Sequence, residues 1–418
     1  MRHFSVLEHL AGQLNPLCRV LDLDPAVPLD LLAGLLGAHG ARSLADPPAW
    51  PSDIADDHSP VEFSVAFNDS EPPALRILAE VPGVAPGVGS NAQAAYAFLA
   101  ANAARFGLAT ARLDAIRDLF VTPPPTSGAT PPPTSNAALL SNGGAAPVPN
   151  GGAVLLPTGG NTPLTTGGAA VRAIGSAAAS PTAGFAVWCS LVFRHGRDPE
   201  FKVYFNPEVA GIGRAPELVE EALHRLGLRD AYRTMLERSI RPGELGRRDR
   251  LAFFAVDLHD SPQARVKLYV SHYDAEAKDV ARAAAAVPGV APDDVGEFCH
   301  AAGGPGRFDR RPLVGSYTLA GGAAQPVGYS VYVPIRDYVD DDRQARDRVA
   351  ALVARHGFDP ALLHRCVAAV SRRPLGAGVG LIAHVSLRLG PPRPGVTVYL
   401  SAEAYEVTPP RTVWLPAA

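Results

Sequence analysis

Lysine is nearly missing from this chain. Of 38 basic residues only Lys202, Lys267 and Lys278 are lysine, and the rest are arginine. With so much alanine, glycine and proline, that bias reads as the mark of a GC-rich genome, and it makes each retained lysine worth locating. Cysteine is scarce as well. Cys18, Cys189, Cys299 and Cys366 lie far apart with no Cys-x-x-Cys pair, which argues against a disulfide framework or a zinc cluster and fits a reducing cytoplasm. No run of about 18 apolar residues occurs, so no membrane span is expected. The first ten residues place charges within an apolar pattern and read as an amphipathic helix, not a signal peptide. A net charge of −3 gives no basic surplus for nucleic acid.

What is present is a repeat. Residues 121–184 stand outside it: they are rich in Pro, Gly, Ala, Ser and Thr, hold no aromatic residue, and carry a single charge at Arg172. Such a segment buries too little apolar surface to offset its ordering entropy, and is expected to be a disordered insertion within one domain formed by 1–120 and 185–418.

In the remainder, five pairs of alternating segments flank short polar or Gly/Pro turns, as hairpins do. They are Val61–Phe67 with Ala74–Val81, Phe185–Phe193 with Phe201–Asn206, Leu251–Leu258 with Arg265–Ser271, Val314–Leu319 with Tyr329–Pro334, and Leu381–Leu389 with Val396–Ala402. Helical periodicity fills the intervals, including one long stretch over Pro216–Leu236. The unit is helix–strand–strand–helix. Tight hairpins imply an antiparallel sheet, and ten strands closed on themselves leave no exposed edge and a lumen wide enough for a ligand. The expected fold is α+β, a closed ten-stranded antiparallel barrel ringed by helices.

The second strand of each hairpin carries polar residues at alternate positions: Arg76; Lys202 and Tyr204; Arg265, Lys267 and Tyr269; Ser330 and Tyr332; Thr397 and Tyr399. Alternate residues share one face of a strand. On an open sheet this face would simply be solvated. In a closed barrel the same cations share a confined space, and they call for a small, highly charged anion such as a diphosphate.

The ordered segments Ser59-Pro-Val-Glu-Phe-Ser, Lys202-Val-Tyr-Phe-Asn-Pro, Arg265-Val-Lys-Leu-Tyr, Tyr332-Val-Pro-Ile-Arg and Thr397-Val-Tyr-Leu-Ser resemble the aromatic prenyltransferases of the dimethylallyl-tryptophan synthase type. The similarity runs through the whole chain apart from the insertion. It implies an ABBA barrel that moves a dimethylallyl group from dimethylallyl diphosphate to an aromatic acceptor, tryptophan or another indole, with no metal and no other cofactor. By the same resemblance Arg76, Lys202, Arg265 and Lys267 hold the diphosphate. Tyr204, Tyr269, Tyr332 and Tyr399 bind its oxygens and shield the allyl cation. Glu62 accepts the indole N–H, and Arg250 is a candidate for the carboxylate of an amino-acid acceptor.

The chain departs from the pattern at Asn206, where a tyrosine is common, and at Ser330, where a glutamine is. The strand Phe185–Phe193 holds no Lys, Glu or His to match the lysine base of fungal members, so the proton acceptor stays unassigned, and prenylation at nitrogen with Glu62 as base stays open. Asp340-Asp341-Asp342 lacks the Asp-Asp-x-x-Asp spacing of magnesium-dependent prenyl synthases and is expected to cap a helix. Two alternatives remain open at this point: a phenolic or polycyclic aromatic acceptor, or a non-catalytic barrel for an apolar ligand.

Overall fold

Each of the five hairpins forms, with ends shifted by a residue or two. In chain order the barrel strands are β1 (Val61–Asn68), β2 (Ala74–Ala79), β3 (Val187–Phe193), β4 (Glu200–Phe205) and β5 (Asp249–Asp257). They continue as β6 (Val266–His272), β7 (Leu313–Leu319), β8 (Gly328–Val333), β9 (Ile382–Leu389) and β10 (Gly395–Ser401). All neighbours are antiparallel, and β1 pairs with both β2 and β10, so the sheet closes in the order β1-β10-β9-β8-β7-β6-β5-β4-β3-β2. This computed structural model describes residues 4–69, 71–120, 184–260, 265–390 and 394–411. The expected insertion, Gly184 apart, lies outside the described residues.

Ten helices surround the barrel among the described residues: α1 (Val6–Val20), α2 (Ala26–Leu36), α3 (Val88–Phe106), α4 (Ala111–Ile116), α5 (Ala215–Arg225), α6 (Arg229–Ser239), α7 (Ala277–Ala284), α8 (Pro292–Gly303), α9 (Asp342–Arg355) and α10 (Pro360–Val370). The single helix expected over Pro216–Leu236 is two. Gly227 takes φ +70° just after α5, a left-handed turn that glycine adopts without a Cβ penalty, and α6 starts afresh at Arg229. No helix among the described residues is long and apolar enough to cross a membrane.

The outward residues of the strands meet these helices. Val203, Phe205, Val266, Leu268, Val331, Val333 and Val398 are fully buried there, each worth about 1.5–3 kcal/mol of apolar burial. Tyr317 and Tyr329 also face outward, and their hydroxyls donate to the carbonyls of Ala283 (3.3 Å) and Val280 (3.2 Å) on α7. Gly315 makes room for this pair, since a Cβ there would stand 2.9 Å from Tyr329 Oη. Gly315→Ala should therefore lose about 1–3 kcal/mol through overpacking, read as a lower denaturant midpoint at unchanged m. A variant as stable as the parent would show that the tyrosine yields without cost.

The Asp340–Asp342 triplet is spent on structure. Asp341 accepts from the Gln344 N–H (2.8 Å) as the α9 N-cap. Asp342, completely buried, accepts from the backbone N–H groups of Gly380, Leu381 and Ile382 and pairs with Arg373, which pins α9 to the start of β9.

At the end opposite the hairpin turns, residues Ser52–Ser59 cross the barrel as a strap. Ser52 Oγ donates to Glu80 (2.7 Å) just past β2, and Asp56 pairs with Arg311 and Arg336 (3.2 Å each), before β7 and after β8. Asp57 accepts from the Tyr405 N–H (3.0 Å) beyond β10. Ile54, fully buried, enters the lumen from this strap and packs with Trp188 and Val314.

Candidate active site

Strand alternation decides what the lumen contains. A cavity of about 630 Å³ opens among the hairpin turns, within the size range of small-molecule sites. Its wall holds Arg76, Lys202, Arg265 and Lys267 together with Tyr204, Tyr269 and Tyr332. Seven of the ten residues singled out in the sequence thus line one space, from four different strands, with Arg265 immediately before β6.

The cations are not equivalent. Lys202 contacts Asp257, which sits directly across from it on β5, and Arg265 Nε reaches the same carboxylate at 3.0 Å. Burial alone would raise the Asp257 carboxyl, but Lys202, His259 and Arg265 outweigh it and hold it well below the usual carboxylate range. Asp257 is therefore a fixed anion that keeps two cations in place. Lys267 and Arg76 have no carboxylate at ion-pair distance among the described residues, and Arg76 Nε is buried without a partner. Burial, and then the charges of Arg265, Lys202 and Arg76, push the Lys267 ammonium well below its ordinary pKa. An anion entering the cavity relieves this repulsion.

Under the cations lies a belt of rings. Tyr204, Tyr269, Tyr332 and Tyr399, one from the second strand of each of four hairpins, follow one another at centroid distances of 5.9, 5.7 and 5.8 Å. Tyr269 Oη lies 3.3 Å from Tyr204 Oη. Burial raises the Tyr204 phenol to about 12 and lifts Tyr269 and Tyr399 well above the ordinary value, so all three are neutral donors at physiological pH. Tyr399 joins through its contact with Tyr332; it is not part of the cavity wall itself.

Glu62 lies deeper. It precedes by two residues Ser64, the register partner of both Arg76 and Tyr399, and so lies toward the strap. Only 4% exposed, its carboxyl is pushed up to about 8 by burial, with Arg336 acting against that shift and Asp56 adding to it. Arg250 stands apart from this group. It is at the start of β5, and its Nε donates to Glu208 at 2.8 Å, so its guanidinium is already engaged by a carboxylate. The two departures from the family pattern are also placed. Asn206 donates to the Phe185 carbonyl (2.9 Å) and caps Glu208, outside the tyrosine belt, while Ser330 is buried opposite Ser316 and Arg388.

Sequence reading took Glu62 and Arg250 from the first strands of their hairpins but passed over the other polar and aromatic residues there. Those strands bring Arg388 to the cavity wall, Asp257 to the cations, and an aromatic floor of Phe185, Trp188 and Phe253 beneath Tyr269. The Phe185 and Trp188 rings stack at 3.6 Å, and Phe253 meets Tyr269 edge-on at 5.8 Å. The signal was the same alternation, at Ser386 and Arg388 and at Ala255 and Asp257, with apolar residues between.

A cationic mouth, a neutral tyrosine belt and an aromatic floor with one deep carboxyl fit a diphosphate ester above an aromatic ring. The family model for tryptophan dimethylallyltransferase matches residues 30–364. The chain belongs to the tryptophan dimethylallyltransferase family. A solved 6-dimethylallyl tryptophan synthase is 54% identical over 99% of this chain and 100% of its own, with a TM-score of 0.82. The 6-dimethylallyltryptophan synthase from Micromonospora olivasterospora, in complex with DMASPP and Trp, is 55% identical over 97% and 100% at TM-score 0.81. The 5-dimethylallyl tryptophan synthase from Streptomyces coelicolor is 30% identical over the full length of both chains at TM-score 0.76. As a tryptophan dimethylallyltransferase the protein is an ABBA-barrel enzyme that transfers a dimethylallyl group to the indole of tryptophan. Neither a phenolic acceptor nor a non-catalytic barrel is needed to account for the lumen.

Proposed function

We propose that this tryptophan dimethylallyltransferase alkylates C6 of the indole. The observation that carries the position is identity of 54–55%, at nearly complete coverage, to two 6-dimethylallyltryptophan synthases, against 30% to a 5-dimethylallyl tryptophan synthase. The residues of the lumen take the following parts in that reading. Arg76, Lys202, Arg265 and Lys267 bind the diphosphate, and as the allylic C–O bond breaks its electron pair passes to the oxygen they surround. The ring faces of Tyr204, Tyr269, Tyr332 and Tyr399 shield the allyl cation while their hydroxyls donate to diphosphate oxygens.

Glu62, once ionised, accepts the indole N–H and raises the electron density of the ring that attacks. Attack forms the C–C bond, and loss of the proton from the alkylated carbon restores aromaticity. Arg250 is left to hold Glu208. A cytoplasmic setting belongs to the same reading and is supported by four buried, unpaired thiols at Cys18, Cys189, Cys299 and Cys366.

The test is a proton NMR spectrum of the product made from tryptophan and dimethylallyl diphosphate. Alkylation at C6 leaves adjacent H-4 and H-5 coupled to each other and an isolated H-7 next to the indole N–H. Coupled H-6 and H-7 with an isolated H-4 would place the group on C5 and overturn the assignment.

A further inference from the structure

The reaction needs a group that takes the ring proton, and none of the residues above is suited to it. Lys202 is committed to Asp257, and β3 presents Trp188 and Ser190 where a base would stand opposite Lys202 and Tyr204. Across the lumen, on β9, His384 shares its face with Ser386 and Arg388. Arg388 is in the cavity wall, and Ser386 Oγ lies 3.4 Å from Tyr399 Oη, so this face looks inward. His384 is the register partner of Tyr399 and meets its ring edge-on at 6.2 Å. A β-bulge between Ile382 and His384 shifts the register at this point, a device that re-aims side chains beside active sites. The imidazole is 2% exposed, and its Nε2 is buried with no hydrogen-bond partner among the described residues.

The geometry points to His384 as the catalytic residue that accepts the ring proton, an inference that rests on the acceptor being tryptophan. Glu62 and His384 stand on either side of β10, about 10 Å apart across the sheet and about 7 Å along it at Cα. An indole held through its N–H by Glu62 then directs its benzenoid edge toward His384. The step balances without a co-reactant. The C–H electron pair at the alkylated carbon returns to the ring, the proton passes to an imidazole nitrogen, and the imidazolium later yields it to the departing diphosphate.

The neighbourhood favours that cycle. Burial first, then the charges of Arg336 and Arg311, keep His384 neutral well below the ordinary histidine pKa. The imidazole is thus ready to accept whenever the site is empty, and the same arginines drive the imidazolium to give its proton up. The groups facing it are Tyr399 from β10, Arg336 from the turn after β8, and Arg311 from the segment before β7. Arg336 and Arg311 are themselves tied to Asp56 of the strap.

The experiment compares parent and His384→Gln with ordinary tryptophan and with tryptophan deuterated on its ring carbons. The expected result is a loss of about a hundredfold in kcat, the scale of removing a positioned proton acceptor, with KM for both substrates little changed. A primary isotope effect absent from the parent should appear in the variant, because deprotonation has become the slow step. His384→Asn carries the same test should the glutamine variant fail to fold. A kcat within threefold of the parent, or a loss in kcat with no isotope effect, would overturn the assignment and leave His384 as packing. A parent inactive on tryptophan would overturn the acceptor reading, and this inference with it.

Discussion

Lys267→Ala should lose at least about tenfold in kcat/KM for dimethylallyl diphosphate while gaining thermal stability at neutral pH. The two effects have one cause. Lys267 is the lumen lysine with no acid at ion-pair distance among the described residues, and burial with three neighbouring cations holds its pKa well below normal. In the unfolded chain it carries its full charge up to about pH 10.4, so between the depressed folded value and that pH the folded state binds fewer protons. Stability therefore rises with pH through that window, and at pH 7 the lysine is a cost that alanine removes.

With diphosphate present the sign reverses. A charge-assisted contact is worth roughly 1.5–3 kcal/mol, and it strengthens as the leaving oxygen gains charge, so kcat falls along with affinity. Lys278→Ala is the control. That side chain is exposed on α7, paired with Glu276 at 2.6 Å, and should leave both quantities unchanged. Equal losses at the two lysines in folded protein would mean that the diphosphate is not bound at the cationic mouth.

For Glu62→Gln the expectation is a loss of about a hundredfold in kcat/KM for tryptophan, the scale of removing one preorganised electrostatic partner. The pH profile gives the sharper reading. Burial holds the carboxyl protonated until about pH 8 in the unliganded barrel, and only the ionised form makes the ring electron-rich. The parent kcat/KM for tryptophan should therefore climb with pH to a plateau, with a midpoint near 8. The glutamine variant should lack that limb. Stability moves the opposite way: between the unfolded carboxyl value near 4.3 and the folded value, the folded state binds the extra proton and stability falls as pH rises. Glu62→Gln should thus leave Tm unchanged at pH 4 and raise it at pH 8. An unaltered acid limb in the variant would assign it to another group and remove Glu62 from the indole N–H.

How much of this was legible in the sequence depended on contrast between the two faces of a strand. In β4 and β6 polar and apolar residues alternate cleanly, so Lys202, Tyr204, Lys267 and Tyr269 could be placed on one face from their spacing, and closure of the barrel makes that face the lumen. In β3 Trp188 faces the lumen and Cys189 the helices, so apart from Ser190 both faces are apolar and the alternation carries little contrast between them. The floor of the site was invisible for that reason. His384 was hidden differently. It keeps the period of two with Ser386 and Arg388, but the bulge at Ile382/His384 shifts the register just before it, and a lone histidine has no ligand spacing to mark it. Gly227 likewise ended a helix whose apolar spacing ran on past it. Arg250 shows the converse limit: its type and position fitted a carboxylate, and the carboxylate it meets is Glu208, 42 residues away in sequence.

The strap from Ser52 to Ser59 turns the barrel into a cul-de-sac. With Ile54 set into the floor and Asp56 bound to Arg311 and Arg336, traffic passes through the cationic mouth. The deeper guest must then arrive first and depart last. With the substrates bound as proposed, tryptophan is expected to enter an unoccupied barrel, the diphosphate ester to close over it, and the alkylated amino acid to wait beneath the spent diphosphate until that ion leaves. Inorganic diphosphate in that arrangement is a stopper as well as a product, and it is expected to inhibit until it leaves the mouth.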